Sequence, residues 1–261
     1  MYPTLELDYN KLLDMVSEMG YRLMKSGAEI YRVEESIQRL LQAYGAPRGE
    51  VFAIPNCLMV SLTSPDGRPV TRRMPTHGTD IYLLEKYNGL CRRLCRETPA
   101  FEEALEQMEA ITRTHRVYSL PTQLAAHFLG CGMFSLFYGG TPTDGLCGGL
   151  CGMVIGLCMA LMTRLGANLF FRTIAGGAAS ALAAVALTRL GVGQNQDLII
   201  IGALMALVPG IAMTNAMRDI MAGDMVAGIS KAAEALLIGA AIALGTALAL
   251  GLTRMVTGGA L

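Results

Sequence analysis

Two different patterns of apolar positions divide the chain near residue 116. Over Asp8–Tyr44 the apolar residues recur at helical spacing, and Ser26–Gly27 interrupts that spacing, so two helices are predicted. Short β-favouring runs follow at Val51–Ile54 and Leu58–Leu62. The segment Ser64–Gly67 has Pro and Gly at the second and fourth positions, which suits a type I turn.

That turn predicts a returning strand over Val70–Met74, and helical spacing resumes over Asp80–Arg96 and Ala100–Thr112. Together these elements predict an α+β domain over residues 1–116. A domain of this size can bury a core of its own.

Beyond residue 116 the pattern changes to long apolar segments. A membrane-spanning helix needs about 20 apolar residues, and five segments approach that length: Leu120–Tyr138, Leu146–Leu165, Leu169–Leu190, Leu198–Met213 and Ala232–Leu252. The fold class predicted for the whole chain is therefore an α-helical membrane protein, with a five-span bundle over residues 117–261 behind a cytoplasmic N-terminal α+β domain.

Composition supports this division. Of the 42 charged residues, 31 lie in residues 1–116, whereas 23 of the 30 glycines lie beyond them. Glycine rows such as Gly148, Gly152 and Gly156 let helix backbones approach closely in lipid. If the polar part is cytoplasmic, the second and fourth loops are inside and carry Arg or Lys, which predicts an inner-membrane protein with its N-terminus in the cytoplasm and its C-terminus outside.

Several functional classes are excluded by what the sequence lacks. The formal net charge is zero and no Lys/Arg cluster stands out, so no nucleic-acid partner is expected. The first residues contain neither a basic nor an apolar stretch typical of a signal peptide. Among the seven cysteines, Cys91 and Cys95 form one pair at a spacing of four residues and Cys147 and Cys151 form another, but neither pair has a third Cys or a His at metal-ligand spacing. The sequence also has no nucleophile elbow and no phosphate loop. We expect neither a metal nor a cofactor, and no enzyme activity.

An unusual polar stretch runs from Val208 to Asp224. Pro209 and Gly210 should break a helix arriving from Leu198, and a new helix is predicted to start near Thr214 or Asn215. Gly223 can end that helix. The side chains proposed to bind substrate are spaced along this stretch: Thr214, Asn215, Arg218, Asp219 and Asp224.

Asn215, Arg218 and Asp219 fall at positions i, i+3 and i+4, on one helix face. Charges near membrane depth usually line a substrate or proton path. The alternative is an ordinary cytoplasmic loop whose charges are solvated and follow the positive-inside rule. Two other residues could contribute to a path: His127, which is otherwise a hydrogen-bonded interhelical histidine, and Arg172, which is otherwise an interfacial arginine reaching towards water.

The chain resembles the threonine/serine exporter family, specifically its N-terminal, five-span half. The resemblance rests on Ser-Gly-Ala-Glu…Arg-x-Glu-Glu at Ser26–Glu35 and on Val-Pro-Gly…Thr-Asn-Ala-x-Arg-Asp…Ala-Gly-Asp at Val208–Asp224. On residue pattern alone, the first stretch is either a recognition patch or a helix break followed by a charged face. The second membrane half of fused family members does not follow here.

The resemblance implies a secondary transporter that exports a small amino acid, threonine or serine, driven by the proton gradient. It also implies a second small membrane subunit of the same family, a homo-oligomer, or both. Two alternatives remain open: a dicarboxylate such as succinate as substrate, or a membrane-anchored sensor whose first 116 residues produce the output. Essential charges in Pro209–Asp224 would favour the transporter.

Overall fold

The computed structural model describes residues 8–46, 49–62, 70–73 and 78–256. They form two compact units. The first unit contains the described residues up to Arg116 and also Ile211–Ala232, and the second contains Val117–Gly210 and the described residues from Ala233 onward. The polar stretch predicted as part of the membrane region thus lies mainly within the first unit.

The first unit combines helices with a small antiparallel sheet. Its elements in chain order are α1 (Tyr9–Lys25), α2 (Ile30–Ala43), β1 (Gly49–Ile54), β2 (Cys57–Leu62), β3 (Val70–Arg73), α3 (Ile81–Glu97) and α4 (Phe101–Thr114). The predicted break between the first two helices is confirmed. The predicted turn at Ser64–Gly67 lies outside the described residues.

The sheet order is β1-β2-β3, and both pairs are antiparallel. Pro55 and Asn56 connect β1 to β2, and Val51 lies opposite Val60. The core of this unit consists of the apolar faces of α1 and α2 with inward residues of β2 and α3, among them Leu12, Val16, Leu23, Ile37, Leu40, Leu58 and Leu94. These two helices are therefore fixed from their apolar sides, which sets the position of the connection between them.

The second unit is helical. It contains α5 (Leu120–Phe137), α6 (Pro142–Arg164), α7 (Leu169–Arg189) and α8 (Gln196–Leu204). Two further helices, α9 (Gly210–Ala222) and α10 (Met225–Val256), have residues in both units. Many large apolar side chains of α5–α7 and α10 are exposed, including Leu129, Phe137, Leu157, Leu161, Leu182 and Leu236, which suits a lipid-facing surface.

Three helices of the described chain are long and apolar enough to cross a membrane: Pro142–Arg164, Leu169–Arg189 and Met225–Val256. The predicted fourth span, Leu198–Met213, is not one helix, since α8 ends at Leu204 and α9 begins at Gly210. Pro209 explains the interruption, because its ring would collide with the carbonyl of Met205 in a continuous helix.

Candidate functional site

The connection between α1 and α2, Ser26–Glu29, is a tightly built corner. Gly27 has a φ of +92°, and a Cβ atom there would lie 2.8 Å from the carbonyl oxygen of Gly78. The carbonyl of Ser26 accepts a hydrogen bond of 3.0 Å from the N–H of Asp80. Only glycine suits the second position, because the left-handed conformation and the close neighbour both exclude a side chain.

Two side chains on one face of α9 bond to this corner. Asn215 donates from Nδ2 to the carbonyl oxygen of Gly27 at 3.2 Å. Arg218, one turn later, donates from Nη1 to Oε1 of Glu29 at 2.7 Å. The Arg218 side chain is 52% exposed and that of Glu29 only 7%, so a small solute can reach this ion pair from the arginine side.

Asp219 makes the most buried contact of the cluster. Its Oδ1 accepts the backbone N–H of Ile30 at 3.0 Å, and its Oδ2 accepts from Nζ of Lys231 at 2.8 Å. Glu29, the residue before α2, does not cap that helix with its side chain. The Asp219 carboxylate therefore satisfies the first free N–H of α2 and places negative charge at the positive end of the helix dipole.

The other carboxyl groups of the cluster differ in their ionisation. For Glu29, burial raises the pKa, but hydrogen bonds from its own backbone and from Arg218, with the charges of Arg32 and Arg218, bring the pKa below its ordinary value. For Glu34, burial and the charges of Asp224 and Asp219 outweigh a hydrogen bond from Ala53 and raise the pKa. Burial and the charge of Asp219 also raise the pKa of Asp224, against the lowering effect of Lys231.

The structure brings three of the predicted substrate-binding residues, Asn215, Arg218 and Asp219, to one corner. Thr214 is exposed on α9, and Asp224 is half-buried after Gly223, with its N–H bonded to the Asp219 carbonyl at 2.9 Å. The predicted start of this helix near Thr214 or Asn215 is wrong, because α9 already begins at Gly210, directly after Pro209. Asn215 is therefore free of a capping role and reaches Gly27 instead.

The two other predicted path residues, His127 and Arg172, belong to the second unit. The Nδ1 atom of His127 lies 2.8 Å from the carbonyl oxygen of Gln123, one turn earlier in α5. Arg172 donates from Nη1 to the hydroxyl of Thr163 at 2.7 Å.

Three residues of the cluster were not predicted as site residues: Glu29, Glu34 and Lys231. Glu29 and Glu34 stand in the Ser26–Glu35 motif, which by spacing alone reads as a helix break and a charged face. Lys231 follows Asp219 by twelve residues, and in the sequence it is only a positive charge beside an apolar segment. The sequence signal for this cluster is that the two unusual motifs, Ser26–Glu35 and Val208–Asp224, occur in one chain. Neither motif by itself indicates that the two are in contact.

Comparison with known proteins agrees with the resemblance given above. A family model described as "Putative threonine/serine exporter" matches residues 14–253. A "Probable threonine/serine exporter" of Mycobacterium tuberculosis is 28% identical over 251 residues, covering 94% of this chain and 47% of that protein. The chain thus spans about half the length of this curated relative, and no solved structure matches it. The chain belongs to the threonine/serine exporter family, a family of membrane transporters and not of enzymes.

Proposed function

We propose that this chain exports threonine and serine, and that Arg218 and Glu29 bind the carboxylate and the ammonium group of the amino acid. Family membership supports the export of amino acids. The observation that carries the site is the Arg218–Glu29 ion pair, which places one cation and one anion together at an accessible corner. A zwitterionic substrate needs this combination of charges.

The substrate can replace the internal ion pair at low cost. Arg218 is half-exposed, so its guanidinium can turn to a ligand while it remains in contact with water; Glu29 is buried and must keep a cationic partner. When Arg218 turns to the substrate carboxylate, Glu29 keeps the nearby charge of Arg32, whose Nε lies 3.6 Å from Oε2. One internal pair is then exchanged for two contacts with the ligand, and a guanidinium can hold a carboxylate through two parallel hydrogen bonds.

The hydroxyl group of the substrate would be recognised from the preceding turn of α9. The side-chain oxygen of Asn215 accepts no hydrogen bond within the described chain, and Thr214 is exposed one residue earlier. Asp219 and Lys231 act as positioning residues in this proposal, since both oxygens of Asp219 already accept hydrogen bonds from protein groups and its side chain is fully buried.

The same geometry favours an amino acid over succinate. A dicarboxylate would bring a second negative charge close to Glu29, whose lowered pKa keeps it ionised. An amino acid brings an ammonium group to that position instead. Glu34 and Asp224, whose pKa values are raised, are the carboxyl groups that we propose to take up the coupling proton.

We propose five membrane crossings: the three long apolar helices, α5, and a fifth made by the nine-residue α8 with the residues that follow it. We propose that the N-terminus lies in the cytoplasm, as the loop charges favour, and an odd number of crossings then puts the C-terminus on the outer side of the inner membrane. From the family resemblance we also propose a second membrane subunit of the same family or further copies of this chain as partners.

The test is threonine efflux from loaded cells that express the chain, with and without a second membrane subunit of the same family. Arg218→Lys and Glu29→Gln should each lower efflux by about tenfold or more, because each removes one charged hydrogen bond to the substrate. The matched controls are Arg113→Lys and Glu109→Gln, which alter an exposed ion pair of 2.6 Å in α4. Efflux near that of the unmodified chain in both site variants, at equal membrane levels, would reject the site.

A further inference from the structure

A groove between α2 and α3 carries a strong excess of positive charge. It has a volume of about 1060 Å³, and its lining includes Tyr31, Arg39, Asn88, Arg92, Cys95 and Arg96. Two glutamates also line it: Glu35 pairs with Arg39 at 2.6 Å, which offsets the charge of both groups, and Glu85 pairs with Lys86 at 3.2 Å. Arg92 and Arg96 form no ion pair within the part of the chain that the structure describes.

The two helices run in the same direction along the groove. The thiol of Cys91 lies 3.8 Å from the carbonyl oxygen of Ser36, and further along both helices the charge of Arg39, three residues after Ser36, acts on Cys95, four residues after Cys91. Along α2, about 12 Å of helix rise separates Tyr31 from Arg39. Along α3, the same rise separates Asn88 from Arg96, with Arg92 midway between them. Tyr31 and Asn88 therefore lie nearer the start of the two helices than Arg39 and Arg96.

Cys95, four residues after Cys91 on α3, also lines the groove. A hydrogen bond from the Cys91 thiol and the charge of Arg39 outweigh burial and lower the pKa of Cys95 to about 7. Arg92 and Arg96 are also four residues apart on one helix, where like charges repel each other. An anion bound between them would remove that repulsion.

We propose that this groove binds a nucleotide, with its phosphates at Arg39, Arg92 and Arg96 and its base against Tyr31 and Asn88. Guanidinium groups match phosphate oxygens through paired hydrogen bonds. An aromatic ring offers a stacking surface to any base, and a side-chain amide can bond to a base edge. The volume slightly exceeds the range of about 300–1,000 Å³ that is usual for small-molecule sites, so a ligand of this size can fit.

The experiment measures binding of ATP, pyrophosphate and adenosine to the purified full chain in detergent, without threonine. ATP should bind saturably, pyrophosphate more weakly and adenosine weakest. Arg92→Gln with Arg96→Gln should weaken ATP and pyrophosphate binding by about tenfold or more. Tyr31→Leu should weaken ATP binding and leave pyrophosphate binding unchanged.

The matched control is Arg93→Gln, which removes the same charge from the same helix but from a side chain that bonds Gln107 and does not line the groove. It should leave ATP binding unchanged. No saturable binding of ATP, an equal loss in Arg93→Gln, or binding only to phosphatidylglycerol vesicles would overturn the proposal. Because threonine is absent from the assay, these outcomes are independent of the proposed transport site.

Discussion

At the scale of single residues, Asp219 is the side chain on which the corner depends. Its carboxylate is fully buried and holds both the N-terminus of α2 and the ammonium group of Lys231, whose side chain is 13% exposed. A buried charge that loses its partner is strongly destabilising, whereas replacing both partners is often nearly neutral. Asp219 and Lys231 should therefore behave as one unit in mutagenesis.

Lys231→Met should lower the free energy of unfolding by about 3–5 kcal/mol, because it leaves the Asp219 carboxylate uncompensated. The measurement is denaturant unfolding of the purified chain followed by circular dichroism. Lys11→Met, which breaks an exposed pair with Glu102, is the control and should leave the free energy of unfolding nearly unchanged, because both groups are exposed to solvent. The double variant Lys231→Met with Asp219→Asn should regain part of the lost free energy of unfolding. If the losses of the two single variants simply add in the double variant, the pair is not coupled.

The two thiols of α3 should differ in reactivity, although they are four residues apart. The pKa of Cys95 is lowered to about 7. The pKa of Cys91 is raised far above its ordinary value, because the Cys91 thiol bonds to Cys95 and is buried. Because the thiolate is the nucleophile, alkylation of Cys95 by iodoacetamide should rise through a midpoint near pH 7. Peptide mass spectrometry at a series of pH values measures this. Equal labelling of both cysteines in the folded chain would contradict the assignment.

At the scale of elements, the sequence predicts the local pieces of the corner but not their meeting. The break at Ser26–Gly27 and the end of α9 at Gly223 follow from glycine chemistry. The sequence predicts the start of α9 one turn too late. Asn215 is a residue type that often caps helices, but here its side-chain amide donates a hydrogen bond to the carbonyl oxygen of Gly27. Contacts across some 189 residues, such as Arg218 with Glu29, have no local signature.

Gly27→Ala should destabilise the first unit more than Gly45→Ala. Both glycines have positive φ angles, +92° and +84°, but a Cβ at Gly45 meets no atom within 4 Å. Each substitution carries the backbone cost of about 1 kcal/mol or more, and only Gly27→Ala adds a collision with the carbonyl of Gly78. Thermal unfolding of the two variants measures the difference. Equal melting temperatures of the two variants would mean that the backbone near Gly78 can move away from a Cβ atom at residue 27 without loss of stability.

At the scale of the whole molecule, the second unit uses its glycines for packing within the chain. A Cβ at Gly149 or Gly152 of α6 would lie 2.8 or 2.7 Å from a carbonyl oxygen of α5. A Cβ at Gly177 of α7 would lie 3.1 Å from the carbonyl of Ile242 in α10. The apolar pattern predicts such a bundle. Pro209 and Gly210 predict the break between α8 and α9, but the end of α8 at Leu204 is not predicted, because Leu198–Val208 is apolar throughout.

The number of crossings can be measured directly. A reporter fused after Leu261 should be active outside the membrane and one fused at Met1 inside, because five crossings place the ends on opposite sides. Fusions after Arg189 and after Ala222 locate any error, since they bracket the nine-residue α8. Both ends on the same side would show that α8 and the residues after it do not cross.

We propose that a zwitterionic amino acid binds between Arg218 and Glu29. The most direct test is equilibrium binding of four ligands to the purified chain: threonine, threoninol without the carboxylate, N-acetylthreonine without the ammonium group, and succinate. Only threonine should bind well, and Glu29→Gln should reduce its preference over N-acetylthreonine, because the amide no longer attracts the ammonium charge. Binding of succinate or N-acetylthreonine as tight as that of threonine would contradict the claim.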